Sequence, residues 1–110
     1  AQGRPQADPL PSLPRPCAQF CGVLIGRVVF VAGGLEKPDA VEALRTFWTL
    51  DLDHLDRGWQ SLPPWPGEGR LLATAGTLDG RFYLVGGAAL KPDLDDKAQR
   101  VWLRDAWRYT

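Results

Sequence analysis

Methionine is absent from these 110 residues, histidine occurs once, cysteine twice, and thirteen Lys and Arg balance thirteen Asp and Glu. Each shortage closes off a class of function. A formal net charge of zero leaves no electrostatic footprint for nucleic acid. No apolar run approaches the roughly 20 residues of a membrane-spanning helix, and no charged n-region leads into an apolar h-region. Neither nucleic acid nor a membrane is therefore expected as a partner. Cys17 and Cys21 lie four residues apart, about 13 Å on an extended strand and beyond disulfide reach. Both read as reduced thiols in a core, and without a bridge they do not decide the redox compartment. Two cysteines and His54 fall short of a zinc ligand set, so no metal is expected. With no methionine, residue 1 is not a native start, and the chain reads as a processed or truncated piece.

What the sequence does contain is a repeat. Leu72–Leu78 and Arg81–Val85 are separated by Asp79-Gly80, the commonest two-residue hairpin signal, and the second run stops at Gly86-Gly87. The earlier copy runs through Val28-Val29-Phe30-Val31-Ala32 to Gly33-Gly34, so Gly33 and Gly86 stand 53 residues apart. Paired glycines ending an apolar strand imply a backbone conformation or a close approach that a Cβ would block. After each pair come a polar loop and an aromatic strand, Phe47–Leu52 and then Asp105–Tyr109; Trp48 and Trp107 are 59 apart, so the second loop is six residues longer. A period near 50 residues is that of a four-stranded propeller blade, with length differences collected in loops.

The residues that follow sharpen this. Double glycine after a Phe/Tyr strand, an aromatic third strand, Trp59 on the fourth, and Leu62-Pro63-Pro64-Trp65-Pro66 leading to Arg70 resemble the kelch repeat over about residues 12 to 110. The opening Leu13-Pro14-Arg15-Pro16, then Phe20-Cys21-Gly22-Val23, Val31-Ala32-Gly33-Gly34 and Pro38 are similar to bacterial N-acetylneuraminate epimerases, the sialic acid mutarotases. The resemblance implies an all-β, kelch-type β-propeller fragment of about two four-stranded antiparallel blades, the second incomplete. Residues 1–16 form a Pro-rich extended segment, 17–66 blade 1 and 67–110 the incomplete blade 2. A ring needs at least about four blades, so further blades of the same chain, or a homo-oligomer of three chains, are expected to close it.

Local expectations follow. In the Pro-rich segment, Ser12-Leu13-Pro14 copies Ser61-Leu62-Pro63 and reads as an outer closing strand, with a PxxP ligand at Pro11–Pro14 as the alternative. Gln19–Leu24 and Val28–Ala32 are the first two strands. Asp39 and Glu42 resemble a capping box, predicting one or two helical turns within 35–46. Small residues in Leu72–Leu78 suit the crowded propeller axis, so Phe at Gly76 or Ala75 would overpack by about 1–3 kcal/mol. Asp51, Asp53, His54 and Asp56, and later Asp93, Asp95 and Asp96, lack EF-hand spacing and read as solvated turns, with calcium an alternative at the second.

In an up-and-down blade, loops 35–46, 63–70 and 88–104 emerge at one end, around the axial opening. A sugar acid wants an arginine fork for its carboxylate and a carboxylate or lysine for proton transfer. Arg70, Glu36 and Arg100 are the candidate catalytic residues, with Lys37, Arg45 and Lys91 binding substrate; the competing reading of each is an ordinary solvated loop charge. The resemblance implies an isomerase that interconverts sialic acid anomers by acid-base chemistry without a cofactor, in a secreted or periplasmic bacterial protein. The rival is a non-catalytic kelch module binding a protein or glycan through the same loops. A propeller copper oxidase is disfavoured for want of a Tyr/His/Cys ligand set.

Overall fold

The computed structural model describes residues 6–95 and 97–109. Nine strands run β1 (Cys21–Ile25), β2 (Val28–Ala32), β3 (Phe47–Asp51), β4 (Gln60–Ser61), β5 (Thr74–Leu78), β6 (Arg81–Val85), β7 (Ala88–Pro92), β8 (Ala98–Trp102) and β9 (Ala106–Tyr109) among the described residues. They form an antiparallel sheet β1-β2-β3-β4, a second sheet β5-β6-β9, and a separate hairpin β7-β8. The architecture is all-β and built twice. Val31 faces Trp48 and Val29 faces Leu50 in the first sheet; Leu84 faces Trp107 and Phe82 faces Tyr109 in the second. The register therefore repeats at the offsets of 53 and 59 read from the sequence.

The two sheets bury their facing sides against each other. Cys21, Ala32 and Phe47 from the first, Phe82 and Leu84 from the second, and Trp65 from the connection between them form the core. Phe47 and Phe82 lie 5.0 Å apart between ring centroids, Phe30 and Phe82 5.6 Å, and Tyr109 meets Phe47 edge-on at 5.3 Å. These separations are in the range where aromatic pairs add to the burial of their area.

Several expectations need correction. β1 starts at Cys21 rather than Gln19, and β5 at Thr74 rather than Leu72. The cause is the same in both copies: Gln19 and Leu72 have φ of 56° and 60°, which interrupts an extended strand. They are equivalent positions, and the Leu72 N–H donates to the Gln19 carbonyl at 3.1 Å, tying one sheet to the next. No helix forms in 35–46. Leu35 is bridged to Ala18 and the Leu44 N–H donates to the Gly34 carbonyl, so both ends are held by neighbouring backbone. A stretch this short cannot offset helix nucleation. A single 3₁₀ turn at Leu55–Arg57 is the helical element among the described residues.

The longer second loop is not a plain loop, since its extra length builds the β7-β8 hairpin. Asp93 closes its tip, accepting from the Asp95 and Lys97 N–H groups at 2.8 and 2.9 Å; Asp96 lies outside the described residues. The other acidic turn is likewise self-contained. Asp51 accepts from the Asp53 N–H at 2.9 Å and sits 3.0 Å from His54 Nδ1, and these bonds, the Asp53 one foremost, lower its pKa. Residues 6–16 form no strand of their own among the described residues. The segment nevertheless contacts the first sheet: Trp59 donates its indole N–H to the Pro11 carbonyl at 2.9 Å. A Cβ at Gly76, which shares a face with Tyr83 turned away from the first blade, would meet nothing within 4 Å among these two blades.

Candidate functional site

The site is assembled by the paired glycines. Gly33 and Gly34 have φ of 68° and 108°, Gly86 and Gly87 of 64° and 98°. A Cβ on Gly33 would collide with the Arg70 carbonyl oxygen, one on Gly34 would lie 2.6 Å from the Ala18 oxygen, and one on Gly87 2.8 Å from the Leu71 oxygen. Because the glycines let chains come so close, backbone bonds lace the loops together. Gly34 N–H donates to the Arg70 carbonyl at 2.7 Å, Arg70 N–H to Leu44 at 3.0 Å, and Gly33 N–H to Thr46 at 2.9 Å. Loops 35–46 and 63–70 are thereby set side by side at one end of the sheets.

Arg70 stands at the centre of this arrangement, but not as a ligand fork. It is 1% exposed. Its Nη1 and Nη2 donate to Asp105 Oδ1 and Oδ2 at 2.6 and 2.8 Å, Nη1 also to the Gly86 carbonyl at 2.9 Å, and Nε to the Glu68 carbonyl at 3.1 Å. The guanidinium carbon lies 5.5 Å from the centre of the Trp65 ring. A fork whose every nitrogen donates within its own chain, beneath that ring, is not free to hold a substrate carboxylate. The expectation for Arg70 is corrected to an internal strut. Asp105, which the sequence reading missed, is its partner; the Arg70 hydrogen bonds, partly opposed by desolvation and helped by the Trp107 indole, bring its carboxyl down to about 2.

The other five candidates divide into two groups. Glu36, Lys37 and Arg100 line one pocket of about 340 Å³, with Cys17, Gln19, Leu35 and Pro38. The β7-β8 hairpin makes this possible, since it carries Arg100 from the second sheet to the loop that follows β2 of the first. Glu36 is ion-paired with Arg15 from the Pro-rich segment. Arg45 and Lys91 line a separate recess of about 450 Å³ with Glu42 and Glu68. There Arg45 Nε donates to the Trp65 carbonyl at 2.9 Å, and Lys91 is paired with Glu68. The first pocket thus gathers one carboxylate and two cations; the second holds cations already engaged.

Sequence reasoning missed Cys17, Gln19 and Arg15 at the first pocket. One signal was available, because Cys17 is the counterpart of Arg70 at the 53-residue offset. Cys17 Sγ lies 3.2 Å from the Gly33 carbonyl, as Arg70 lies against that of Gly86. Burial pushes the Cys17 thiol up, against the pull of Arg15, and pushes Cys21 up to about 11. Both cysteines are free thiols.

Two wedges of antiparallel sheet, each cut off at a glycine pair and stacked through an aromatic interface, are blades of a kelch-type β-propeller. The fold matches a solved structure described as "Structure of YjhT" with a TM-score of 0.67 and 25% identity, over 91% of this chain and 26% of that one. Among curated relatives, the N-acetylneuraminate epimerase of Haemophilus influenzae (strain PittEE) is 30% identical over 103 residues, 94% of this chain and 24% of the relative. That of Vibrio cholerae is 34% identical over 79 residues, 71% of this chain and 18% of the relative. Kelch-like protein 40 of Mus musculus is 40% identical over 78 residues, 70% of this chain and 12% of the relative. The chain thus spans a quarter or less of the length of these relatives. No protein-family profile matches it.

Proposed function

We propose that these blades belong to a propeller that binds a sialic-type sugar acid and speeds interconversion of its anomers. The observation that carries the reading is the convergence of Glu36, Lys37 and Arg100 on one pocket. In this reading Arg100 and Lys37 hold the sugar carboxylate through charge-assisted bonds. Glu36 moves the proton between the anomeric hydroxyl and the ring oxygen, which opens and recloses the ring. No cofactor enters the step. The relatives named N-acetylneuraminate epimerase support the substrate class, and the reading places the protein in the periplasm or outside a bacterial cell, to be checked by fractionation.

The test is NMR exchange spectroscopy on N-acetylneuraminate. Anomer exchange faster than in buffer is expected, reduced about 100-fold or more in Glu36→Gln. An exchange rate equal to buffer at high protein concentration would rule out the enzyme. A second reading, a binding module without turnover, draws on the similarity to Kelch-like protein 40. It is distinguished by saturable binding of a protein or glycan, lost in Arg100→Ala, with anomer exchange left at the buffer rate.

A further inference from the structure

Trp102 differs from the other tryptophans of the chain. Trp48 and Trp65 are buried in the core, and Trp59, Trp65 and Trp107 donate their indole N–H groups within the chain. Trp102 is 65% exposed and makes no side-chain hydrogen bond among the described residues. Its backbone, by contrast, is firmly held at the base of the β7-β8 hairpin. Trp102 pairs with Ala88, which is fully buried and exchanges two hydrogen bonds with Leu71 at 2.9 Å, and the next residue, Leu103, donates its N–H to the Gly87 carbonyl at 2.9 Å. Leu71 leads into Leu72, whose N–H bonds the carbonyl of Gln19, a residue of the Glu36 pocket. That chain of bonds sets Trp102 beside the Gln19 end of the pocket.

Strand alternation fixes the side it faces. Arg100 and Trp102 are two residues apart on β8, about 7 Å, and share one face of the hairpin. Arg100 lines the pocket with Glu36 and Lys37, so this face is turned to the loops of the first blade. A neighbouring blade stacks instead against the far side of the second sheet, where Leu78 and Val85 are exposed. We infer that Trp102 is the stacking platform of the pocket, receiving the C–H face of a pyranose ring whose carboxylate Arg100 and Lys37 hold. The inference rests on the sugar-acid reading of that pocket. The face of an indole is the negative part of its quadrupole, and it attracts the weakly positive hydrogens on the apolar side of a sugar ring. A cationic clamp alone would accept any small organic acid. A flat aromatic fixed beside the clamp selects a cyclic acid over an open-chain one, so Trp102 is a specificity residue and takes no part in proton transfer.

The test uses the complete propeller that carries these blades, with N-acetylneuraminate binding measured by calorimetry and anomer exchange by NMR. Trp102→Leu keeps an apolar side chain at the hairpin base without a flat face; it should raise Kd and the KM for exchange about tenfold, with kcat within about twofold. Its thermal melt should match wild type, because the side chain it replaces is mostly in water. Trp102→Tyr restores a flat ring and should bind within about threefold of wild type. Gluconate, an open-chain sugar acid, should bind wild type and Trp102→Leu equally weakly. Equal affinity of wild type and Trp102→Leu for N-acetylneuraminate, with exchange retained, would overturn the platform and leave the enzyme reading standing. A loss in Trp102→Tyr as large as in Trp102→Leu would overturn it as well. Binding that depends on Trp102, with exchange at the buffer rate, would uphold the platform and rule out the enzyme. No binding of N-acetylneuraminate by the wild type would overturn both.

Discussion

The buried Arg70 and the partly exposed Asp105 form a strut in the second blade, and the equivalent positions of the first blade hold Cys17 and Thr46. The backbone confirms the equivalence: Gly33 N–H bonds Thr46 as Gly86 N–H bonds Asp105. Thr46 Oγ1 is buried without a hydrogen-bond partner, which is what an aspartate site looks like once its arginine is gone. In the second blade, Asp105→Ala leaves the Arg70 charge buried and unpaired, and should lower stability by about 3 kcal/mol in urea titration. The acid limb should show the same pair. The Asp105 carboxyl is depressed from 3.8 to about 2, so its contribution is whole above about pH 4 and fades as pH falls through about 2. Asp105→Asn should remove that step from a pH-stability profile. In the first blade, Cys17→Arg alone buries an unpaired charge and should destabilise. Combined with Thr46→Asp it should recover, giving a coupling of about 1–3 kcal/mol in a double-mutant cycle; purely additive effects would count against the equivalence of the two sites.

At the scale of elements, glycine has two distinct uses here, and one substitution separates them. Gly87 ends β6 with φ of 98°, and a Cβ would lie 2.8 Å from the Leu71 carbonyl oxygen. Gly87→Ala should therefore cost about 1–3 kcal/mol through strain and displaced backbone. Gly76, within β5, meets nothing within 4 Å and has an ordinary φ. Gly76→Ala should stabilise the chain by about 0.5–1 kcal/mol by restraining the unfolded backbone. Thermal melts of the two variants moving in the same direction would refute this division. Much of the element pattern was legible: the Asp79-Gly80 hairpin, the glycine stops and the aromatic third strands all stand where local chemistry put them. The one-residue turn at Gln19 and Leu72 was not legible, because neither residue type favours positive φ and only the bond between them holds it.

For the molecule as a whole, burial is one-sided. The facing sides of the blades pack Phe47, Phe82 and Leu84 together, while the far face of the second blade carries Leu78 at 63% and Val85 at 49% exposure. The radius of gyration of 15.6 Å exceeds the roughly 13 Å of a compact domain of this length, as side-by-side wedges would. Repeat units cover such faces by stacking, so the chain in isolation should associate as its concentration rises. Leu78→Lys with Val85→Lys should suppress that association in sedimentation velocity and change stability by no more than about 0.5 kcal/mol. Association that persists unchanged in the double variant would place the sticky surface elsewhere.

Fold class, blade number within these residues and strand register were all determined by the sequence itself. They rest on local periodicity, hairpin chemistry and a repeat, each visible over a few tens of residues. What only the tertiary structure decided was the fate of the charges. Arg70 is paired with a residue 35 positions away, and Arg100 lines one pocket with Glu36 because an unforeseen hairpin carries it across from the other blade. Charged side chains are long, and solvated or buried forms share the same letter in a sequence. Whether a guanidinium serves the fold or a ligand depends on which distant groups surround it, and only the packed chain sets those neighbours.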